Sequence, residues 1–381
     1  MLSCWAPGGM IWLSGMNSPV RRLLLFIMAM ACIIVARESG AQTISSNAVG
    51  YVQLTCTAAS DTTLAVPFTQ PAATVGLIAL VSGSTVTVSG TAGWTSNQFV
   101  YSGSGSSTYY VQLGPCGSGT DPKDGSYYTI ASNGANTLTL ELNGDDISSV
   151  PAGCTLTVYP YWTLATVFPP STSGTSFIAS TSPLFRQTQI LVPNASGAGI
   201  NLATAATYYF YNGAWRLAGD SVSNSHNDDI LIPDSYVTVR NPSGTTTLMT
   251  KGNVQSGNFT IPLATEASGA QDNFVGICRP IDTSLNDLAL ATSGAFTSST
   301  SGQTLQDQIL LISNTTAAIN KSASATYFYY TGTSGTGWRL FGDSITNDHG
   351  GDLIPAGTGF VIRKAATAGG ATEFWQNPPT Y

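Results

Sequence analysis

Apolar and polar residues alternate in several short segments of this chain. Alternation with threonine at every second position predicts β-strands that bury one face. Turn signals rich in glycine and asparagine separate the segments, as at residues 132–134 (SNG) and 143–145 (NGD). The clearest segments are residues 85–89 (TVTVS), 137–142 (TLTLEL), 155–159 (TLTVY), 208–211 (YYFY) and 237–240 (VTVR). The pattern predicts an all-β protein built from antiparallel β-sandwich or barrel-like modules.

Signals for helices are weak. Charged residues make up only 9% of the chain, so it lacks the runs of Glu, Lys, Leu and Ala that favour helices. One short helix is predicted at residues 284–291, following a cap at Thr283 or Ser284.

An internal duplication gives the strongest information on architecture. Residues 187–240 and 306–363 share 25 identities over about 53 aligned positions, including an aromatic strand, a Trp-Arg-Leu segment and a polar loop. A unit copied with its core aromatics and its turn residues is a structural module. We therefore expect the two copies to have the same strand order, with Trp215 and Trp338 in the core at equivalent depth.

The polar loop is the one constellation in the sequence that suggests chemistry. Its residues recur with identical spacing, as Asp220, Ser221, Asn224, His226 and Asp229 and as Asp343, Ser344, Asn347, His349 and Asp352. Carboxylate and amide oxygens in a short loop suit calcium, so Asp220, Asn224, Asp229, Asp343, Asn347 and Asp352 are candidate ligands. The plainer interpretation is that these side chains cap backbone groups of a long turn.

An esterase is a poor fit to the same loop. The segment Gly-Asp-Ser resembles the first block of GDS-type hydrolases, but those enzymes place the nucleophile at a strand-to-helix turn and the histidine far along the chain. Here His226 follows Ser221 by five residues. No catalytic residue is predicted.

The tyrosine-rich strands suggest a second ligand class. Exposed rings in residues 208–211 and 327–330 would stack on sugars, although strand alternation requires about half of these side chains to be core. Glycan binding therefore stands beside calcium binding as an alternative function.

The N-terminus predicts export. Arg21 and Arg22 precede an apolar run at residues 23–35, and small residues follow at 39–41 (SGA), as in a signal peptide covering residues 1–41. Thirteen apolar residues are fewer than the roughly 20 that span a bilayer, so no transmembrane anchor is expected. Removing residues 1–41 leaves 10 basic and 19 acidic residues, a net charge of 10 − 19 = −9, which argues against nucleic acid as a partner.

The mature chain keeps four cysteines, an even number that permits two disulfides in an exported protein. Cys116 and Cys154 both lie in turn-like Gly/Pro contexts that flank a likely hairpin, so we expect this pair to form a disulfide. Free, partly buried thiols are the alternative for all four, which include Cys56 and Cys278.

Composition divides the mature chain into three parts. We expect an N-terminal β-rich unit at residues 42–170, a first repeat unit at 171–281 and a second at 282–381. A Pro/Ser/Thr/Gly-rich stretch at residues 169–182 separates the first two parts. Each copy alone would bury little core, so packing of the two copies within one domain is as consistent with the sequence as two separate domains.

Several short motifs resemble a family of uncharacterised, exported, β-rich proteins that occur in many copies in Verrucomicrobia-type bacteria. The motifs are residues 94–99 (WTSNQF), 160–164 (PYWTL), 206–209 (ATYY), 212–216 (NGAWR), 269–274 (GAQDNF) and 285–287 (LND). The resemblance extends through most of the mature chain and implies an exported protein without an assigned substrate.

These observations favour a secreted or cell-surface structural protein that associates with itself or with other surface proteins. A glycan- or calcium-binding module that uses the duplicated loops is the alternative.

Overall fold

A computed structural model describes residues 48–117, 123–379 and 381, so the expected signal peptide lies outside the described residues. The fold is all-β, as predicted, with antiparallel pairing between the strands. The strands in chain order are β1 (Val49–Cys56), β2 (Ser60–Ala65), β3 (Thr74–Ser82), β4 (Thr85–Val88), β5 (Tyr109–Cys116), β6 (Tyr127–Asn133), β7 (Thr137–Glu141), β8 (Cys154–Pro160), β9 (Trp162–Thr163), β10 (Gln189–Pro193), β11 (Thr204–Tyr211), β12 (Ala214–Leu217), β13 (Ile230–Leu231), β14 (Tyr236–Asn241), β15 (Thr246–Asn253), β16 (Phe259–Ala264), β17 (Gln271–Gly276), β18 (Thr283–Ser284), β19 (Gln308–Leu311), β20 (Ala325–Tyr330), β21 (Gly337–Leu340), β22 (Leu353–Ile354), β23 (Gly359–Lys364) and β24 (Thr372–Asn377).

Six of these strands close into a barrel in the order β3-β4-β7-β6-β5-β8. The alternating segments at 85–89, 137–142 and 155–159 supply β4, β7 and β8. Their apolar residues Val86, Leu138 and Leu156 are fully buried in the barrel core, while the intervening threonines are partly exposed. Periodicity of two therefore identified both the strands and the buried face.

The expected disulfide between Cys116 and Cys154 is present and joins β5 to β8 within the barrel. Such a bond is typical of proteins that fold in an oxidising compartment. Cys56 and Cys278 are free and buried.

The two sequence copies form five-stranded sheets with the same strand order. The first sheet runs β12-β11-β10-β14-β2 and the second runs β21-β20-β19-β23-β17. Trp215 is 0% exposed and Trp338 is 1% exposed, so the two indoles lie at equivalent depth. The prediction of a duplicated fold is confirmed.

The repeated structural unit is larger than the sequence repeat. Each five-stranded sheet gains its last strand from outside the copy, namely β2 and β17, and each copy is flanked by two further ladders, β1-β15 with β9-β13 and β16-β24 with β18-β22. We call the strands β1, β2 and β9–β15 the first module and the strands β16–β24 the second module. The barrel is inserted between β2 and β9 of the first module. Strand pairing therefore runs across both boundaries expected at residues 170 and 281.

The two modules also exchange contacts in a reciprocal manner. In the first module Arg240 on β14 donates two hydrogen bonds of 2.7 Å to the carboxylate of Asp61 on β2. Asn320, from the loop after β19 in the second module, completes this ion pair. Its backbone N–H donates to Asp61 (2.7 Å), and its side-chain oxygen accepts from Arg240 (2.6 Å).

The second module repeats this arrangement with a loop of the first. Arg363 on β23 donates to the carboxylate of Asp272 on β17 at 2.7 and 3.0 Å. Asn201, from the loop after β10, donates its N–H to Asp272 (2.8 Å) and accepts from Arg363 (3.1 Å). The modules are therefore two halves of one pseudo-symmetric assembly.

The helix predicted at residues 284–291 is wrong. Ser284 ends β18, turns follow it, and Ala289 has φ = +53°, a conformation that ends a right-handed helix. A single helical turn, α1 (Leu164–Val167), instead occurs at the equivalent place in the first module, directly after β9. Thr163 is its N-terminal cap. A 3₁₀ turn at Pro170–Thr172 follows it.

No helix in the described residues is long and apolar enough to cross a membrane.

Candidate functional site

The duplicated polar loop joins β12 to β13 in the first module and β21 to β22 in the second. The second residue of each loop is a glycine in the left-handed region, Gly219 (φ = +93°) and Gly342 (φ = +91°), where a side chain would be strained. The histidine then folds back on the strand that precedes the loop. His226 N donates to Trp215 O (2.9 Å), and His349 N donates to Trp338 O (3.0 Å). The buried tryptophan strand thus sets the position of the histidine.

Each imidazole lies between two carboxylates of its own loop. In the first module Nε2 of His226 is 2.9 Å from Oδ2 of Asp220, and Nδ1 is 2.9 Å from Oδ2 of Asp229. Asn224 donates its side-chain amide to the same oxygen of Asp220 (3.0 Å). Tyr208 on β11 donates its hydroxyl to Oδ2 of Asp229 (2.8 Å). The five polar side chains therefore form one continuous chain of hydrogen bonds.

The second module reproduces this network atom for atom. Nε2 of His349 is 2.9 Å from Asp343, and Nδ1 is 2.9 Å from Asp352. Asn347 donates to Asp343 (3.0 Å), and Tyr327 donates to Asp352 (2.8 Å). The structure therefore brings together all six residues that were predicted as calcium ligands, three in each loop, and inserts a histidine between each pair of aspartates.

The geometry favours the protonated form of both histidines. An ionised carboxylate only accepts hydrogen bonds, and imidazole donates from both nitrogens only as the imidazolium ion. Partial burial disfavours the charged form of His226, but the hydrogen bonds to Asp220 and Asp229 outweigh it and raise the pKa. The pKa of His349 is raised by its hydrogen bonds to Asp343 and Asp352.

The first aspartate of each loop is stabilised in its ionised form. The hydrogen bond from Asn224 and, to a smaller extent, the hydrogen bond from His226 lower the pKa of Asp220 to about 2. Asp343 also has a pKa of about 2, because of hydrogen bonds from Asn347 and His349. When its histidine is protonated, each loop is thus held closed by a cation between two anions.

This arrangement does not provide an esterase triad. Both nitrogens of each histidine are engaged by aspartates, so neither is available to take a proton from a serine. The hydroxyl of Ser221 lies 2.8 Å from that of Ser223, and Ser344 lies 2.8 Å from Thr346.

Calcium binding stays a prediction for these loops. Among the described residues, no group of three or more His, Cys, Asp or Glu side chains is arranged to hold a metal ion. A calcium ion bound by Asp220 and Asp229 would compete with His226 for their Oδ2 atoms.

One difference between the loops follows from the inserted barrel. Oδ2 of Asp228 accepts hydrogen bonds from the Tyr101 hydroxyl (3.3 Å) and from Gly105 N (3.1 Å), both in the loop between β4 and β5. Gly351 occupies the position of Asp228 in the second module. Only the first loop has a carboxylate at this position with which to bind the barrel.

The aromatic strands that suggested sugar binding are mostly core. Tyr208, Tyr209 and Phe210 are buried in the first module, and Tyr327, Phe328 and Tyr330 are buried in the second.

Sequence reasoning overlooked the partners of Arg240 and Arg363. The conserved spacing of the two arginines within the copies was the available signal, but nothing local identified Asp61 or Asp272 as their acceptors.

Comparison of the chain with protein-family models, with curated proteins and with solved structures gives no match.

Proposed function

We propose that this chain is an exported, structural or surface-associated β-repeat protein that works through contacts of its folded surface. The observation that carries the proposal is the closed His-Asp-Asp network. Because the Asp, Asn and His side chains that the two loops share bond to groups of their own module, a structural role is sufficient to explain why the loop was copied intact. The disulfide and the resemblance to exported β-rich proteins support a role outside the cytoplasm.

The outer face of β3 is the surface that best suits such contacts. Val75, Leu77 and Leu80 are 66%, 49% and 60% exposed. Their neighbours on β8 and β4 are threonines, with Val75 opposite Thr157, Leu77 opposite Thr155 and Leu80 opposite Thr87. We call these six residues the β3 face. It combines exposed apolar side chains with neutral polar ones, the kind of patch that marks a protein contact.

A second copy of this chain is the partner that fits the β3 face. The mature protein carries a net charge of −9, so two copies repel each other at long range. The six residues of the face carry no charge, and copies that meet there avoid placing like charges opposite one another.

The mass of the purified mature protein across a range of concentrations tests this proposal. Light scattering after gel filtration is expected to give a multiple of the monomer mass at high concentration, without added ligand. The double variant Leu77→Thr/Leu80→Thr is expected to be monomeric, because threonine suits an exposed strand but removes apolar contact area.

Leu353→Thr is the matched control. Leu353 is 56% exposed and lies in β22, which pairs with β18 and not with a barrel strand, so this variant is expected to associate like the wild type. A wild-type protein that stays monomeric at every concentration, or a double variant that associates as well as the control, would refute the proposal.

A further inference from the structure

A cleft of about 410 Å³ lies between the barrel, the turn after β13 and the ladder of β16 with β24. Its size falls within the range of about 300 to 1,000 Å³ that is usual for small-molecule sites. The barrel contributes most of the lining, Ile232 contributes one edge, and Thr260, Pro262 and Phe374 contribute the opposite wall. The cleft therefore exists because the inserted barrel rests on the second module.

Hydrogen bonds fix the barrel in this position. Thr260 on β16 donates its N–H to Gly125 O (3.0 Å) and its hydroxyl to Asp124 O (2.8 Å). Asn258 donates its amide to Asp124 (2.7 Å). Gly125 has φ = +86°, and a Cβ there would lie 2.7 Å from the carbonyl carbon of Asn258. The cleft is consequently preformed, which lowers the entropic cost of binding a ligand.

Aromatic rings form much of the floor and one wall. Tyr127 stacks on Phe259 with 5.4 Å between ring centroids and 28° between ring planes. Tyr161 is 2% exposed, and its hydroxyl lies 2.8 Å from that of Thr129. These contacts fix the positions of the rings, so the parts of Tyr127 and Phe374 that reach the cleft form a rigid apolar lining, while the hydroxyl groups of Tyr128 and Tyr161 already have protein partners.

Polar groups suited to a hydroxylated ligand converge on the same space. Ser126 lines the cleft and is 4% exposed, and its hydroxyl has no hydrogen-bond partner in the described part of the chain. Glu141 and Asn143 line the exposed rim. A buried hydroxyl without a partner costs free energy, which a ligand hydroxyl would recover once the Ser126 side chain turns toward the cleft.

The charge at the cleft argues against an anionic ligand. Lys123 Nζ lies 4.4 Å from the centroid of the Phe374 ring and forms an ion pair with Asp145. Asp145 also accepts a 2.6 Å hydrogen bond from Tyr128. The ammonium group is thus neutralised by its own partner, while Glu141 adds a negative charge at the rim.

We propose that this cleft binds a neutral carbohydrate. Rigid aromatic surfaces suit the C–H faces of sugar rings, and hydroxyl, carboxylate and amide groups suit the sugar hydroxyls. The site is distinct from the duplicated loops and does not depend on self-association through the β3 face.

Binding of neutral tetrasaccharides of glucose, N-acetylglucosamine, mannose and xylose to the purified mature protein tests this site. Titration calorimetry and ligand-observed NMR are expected to detect at least one of them at concentrations up to about 10 mM. Spermidine and citrate serve as a cationic and an anionic probe, and neither is expected to bind as well.

Two variants connect the binding to the cleft. Ser126→Ala removes a hydroxyl partner of the sugar and Glu141→Gln replaces a charged acceptor by a weaker neutral one, so each is expected to weaken binding about tenfold. Glu266→Gln is the matched control for Glu141→Gln, since Glu266 does not line the cleft, and binding should be unchanged. Melting temperatures close to that of the wild type show that each variant is folded.

The remaining outcomes overturn the proposal. Failure of all four saccharides to bind, binding that is unaffected by both cleft variants, or binding of spermidine or citrate alone would each show that the cleft is not a site for neutral carbohydrate.

Discussion

Lys364 and Asp307 form an ion pair that is completely buried in the second module. Lys364 Nζ also donates to Ala295 O (2.7 Å), and Asp307 accepts from Ala365 N (2.7 Å). The first module has Asn241 and Thr188 at the equivalent positions, also buried, with the Thr188 hydroxyl 2.6 Å from the Asn241 side-chain oxygen. One pseudo-symmetric site is therefore occupied by a charged pair in one module and by a neutral pair in the other.

The presence of these two different residue pairs at equivalent positions of the two modules predicts how the site responds to mutation. Lys364→Asn alone leaves the Asp307 carboxylate buried without its cation and should destabilise the fold by about 3 to 5 kcal/mol. Asp307→Thr/Lys364→Asn installs the pair found in the first module and should recover part of that loss, because the buried charge of Asp307 is removed while Glu373 still loses its ion pair with Lys364 (2.8 Å). Urea unfolding of the wild type and both variants measures this, and equal losses in the single and double variants would contradict it.

The histidine networks predict a stability maximum in mildly acidic solution. His226 and His349 have raised pKa values, so their contribution is complete below the unfolded value of 6.5 and is lost as pH rises through the folded value. Asp220 and Asp343 have pKa values lowered from 3.8 to about 2, so their contribution is present above pH 3.8 and is lost as pH falls toward 2. The maximum should therefore lie between about pH 4 and 6.5.

Melting temperatures from pH 3 to pH 9 test that profile. The groups that face His226 are Asp220 and Asp229 of its own loop, with Tyr208 of β11 bonded to Asp229. In the double variant His226→Gln/His349→Gln the decline above pH 6.5 should be reduced. A decline of the same size as in the wild type would show that other groups cause it.

Calcium is expected to leave the melting temperature unchanged at pH 6. The Oδ2 atoms of Asp220 and Asp229 are already bonded to a protonated histidine, and a calcium ion would have to displace that cation. Titration with millimolar calcium, followed by thermal unfolding, measures the effect. A saturable rise that disappears in Asp229→Asn/Asp352→Asn would instead establish the loops as calcium sites, since a ligand that prefers the folded state stabilises it.

The export signal predicts the mass of the secreted protein. Cleavage after Ala41 should give a chain that begins at Gln42, because small residues at positions 39–41 follow the apolar run. Intact-mass measurement of secreted material decides this. A mass that includes residues 23–35 would indicate that the segment is retained.

Local sequence determined the strands and their buried faces. Residues 85–88 alternate between threonine and valine, and this alone indicates which side chains enter the barrel core, because successive strand residues point to opposite faces. The duplication likewise predicted equal strand order and equal depth for Trp215 and Trp338. Glycine and proline contexts identified Cys116 and Cys154 as disulfide partners.

Matching residues were a less reliable guide to register. The tripeptide Leu-Ile-Pro occurs at residues 231–233 and 353–355, and aligning these segments requires a gap. The structure instead pairs Ile230-Leu231 with β9 in the same way as Leu353-Ile354 with β18, so the equivalent residues differ by one position from the identical ones. The alignment of the two strands follows side-chain burial and not residue identity, because Leu231 and Ile354 are the side chains that enter the core.

Tertiary structure alone decided which strands are neighbours. β1 and β2 pair with β15 and β14 across the whole inserted barrel, and Asp61 binds an arginine 179 residues away and an asparagine 259 residues away. Alternation along a strand specifies a buried face but not the strand beside it, since any edge offers the same backbone donors and acceptors. The partner is selected by the packing of side chains from distant segments, and that selection also placed the barrel against the second module and created the cleft between them.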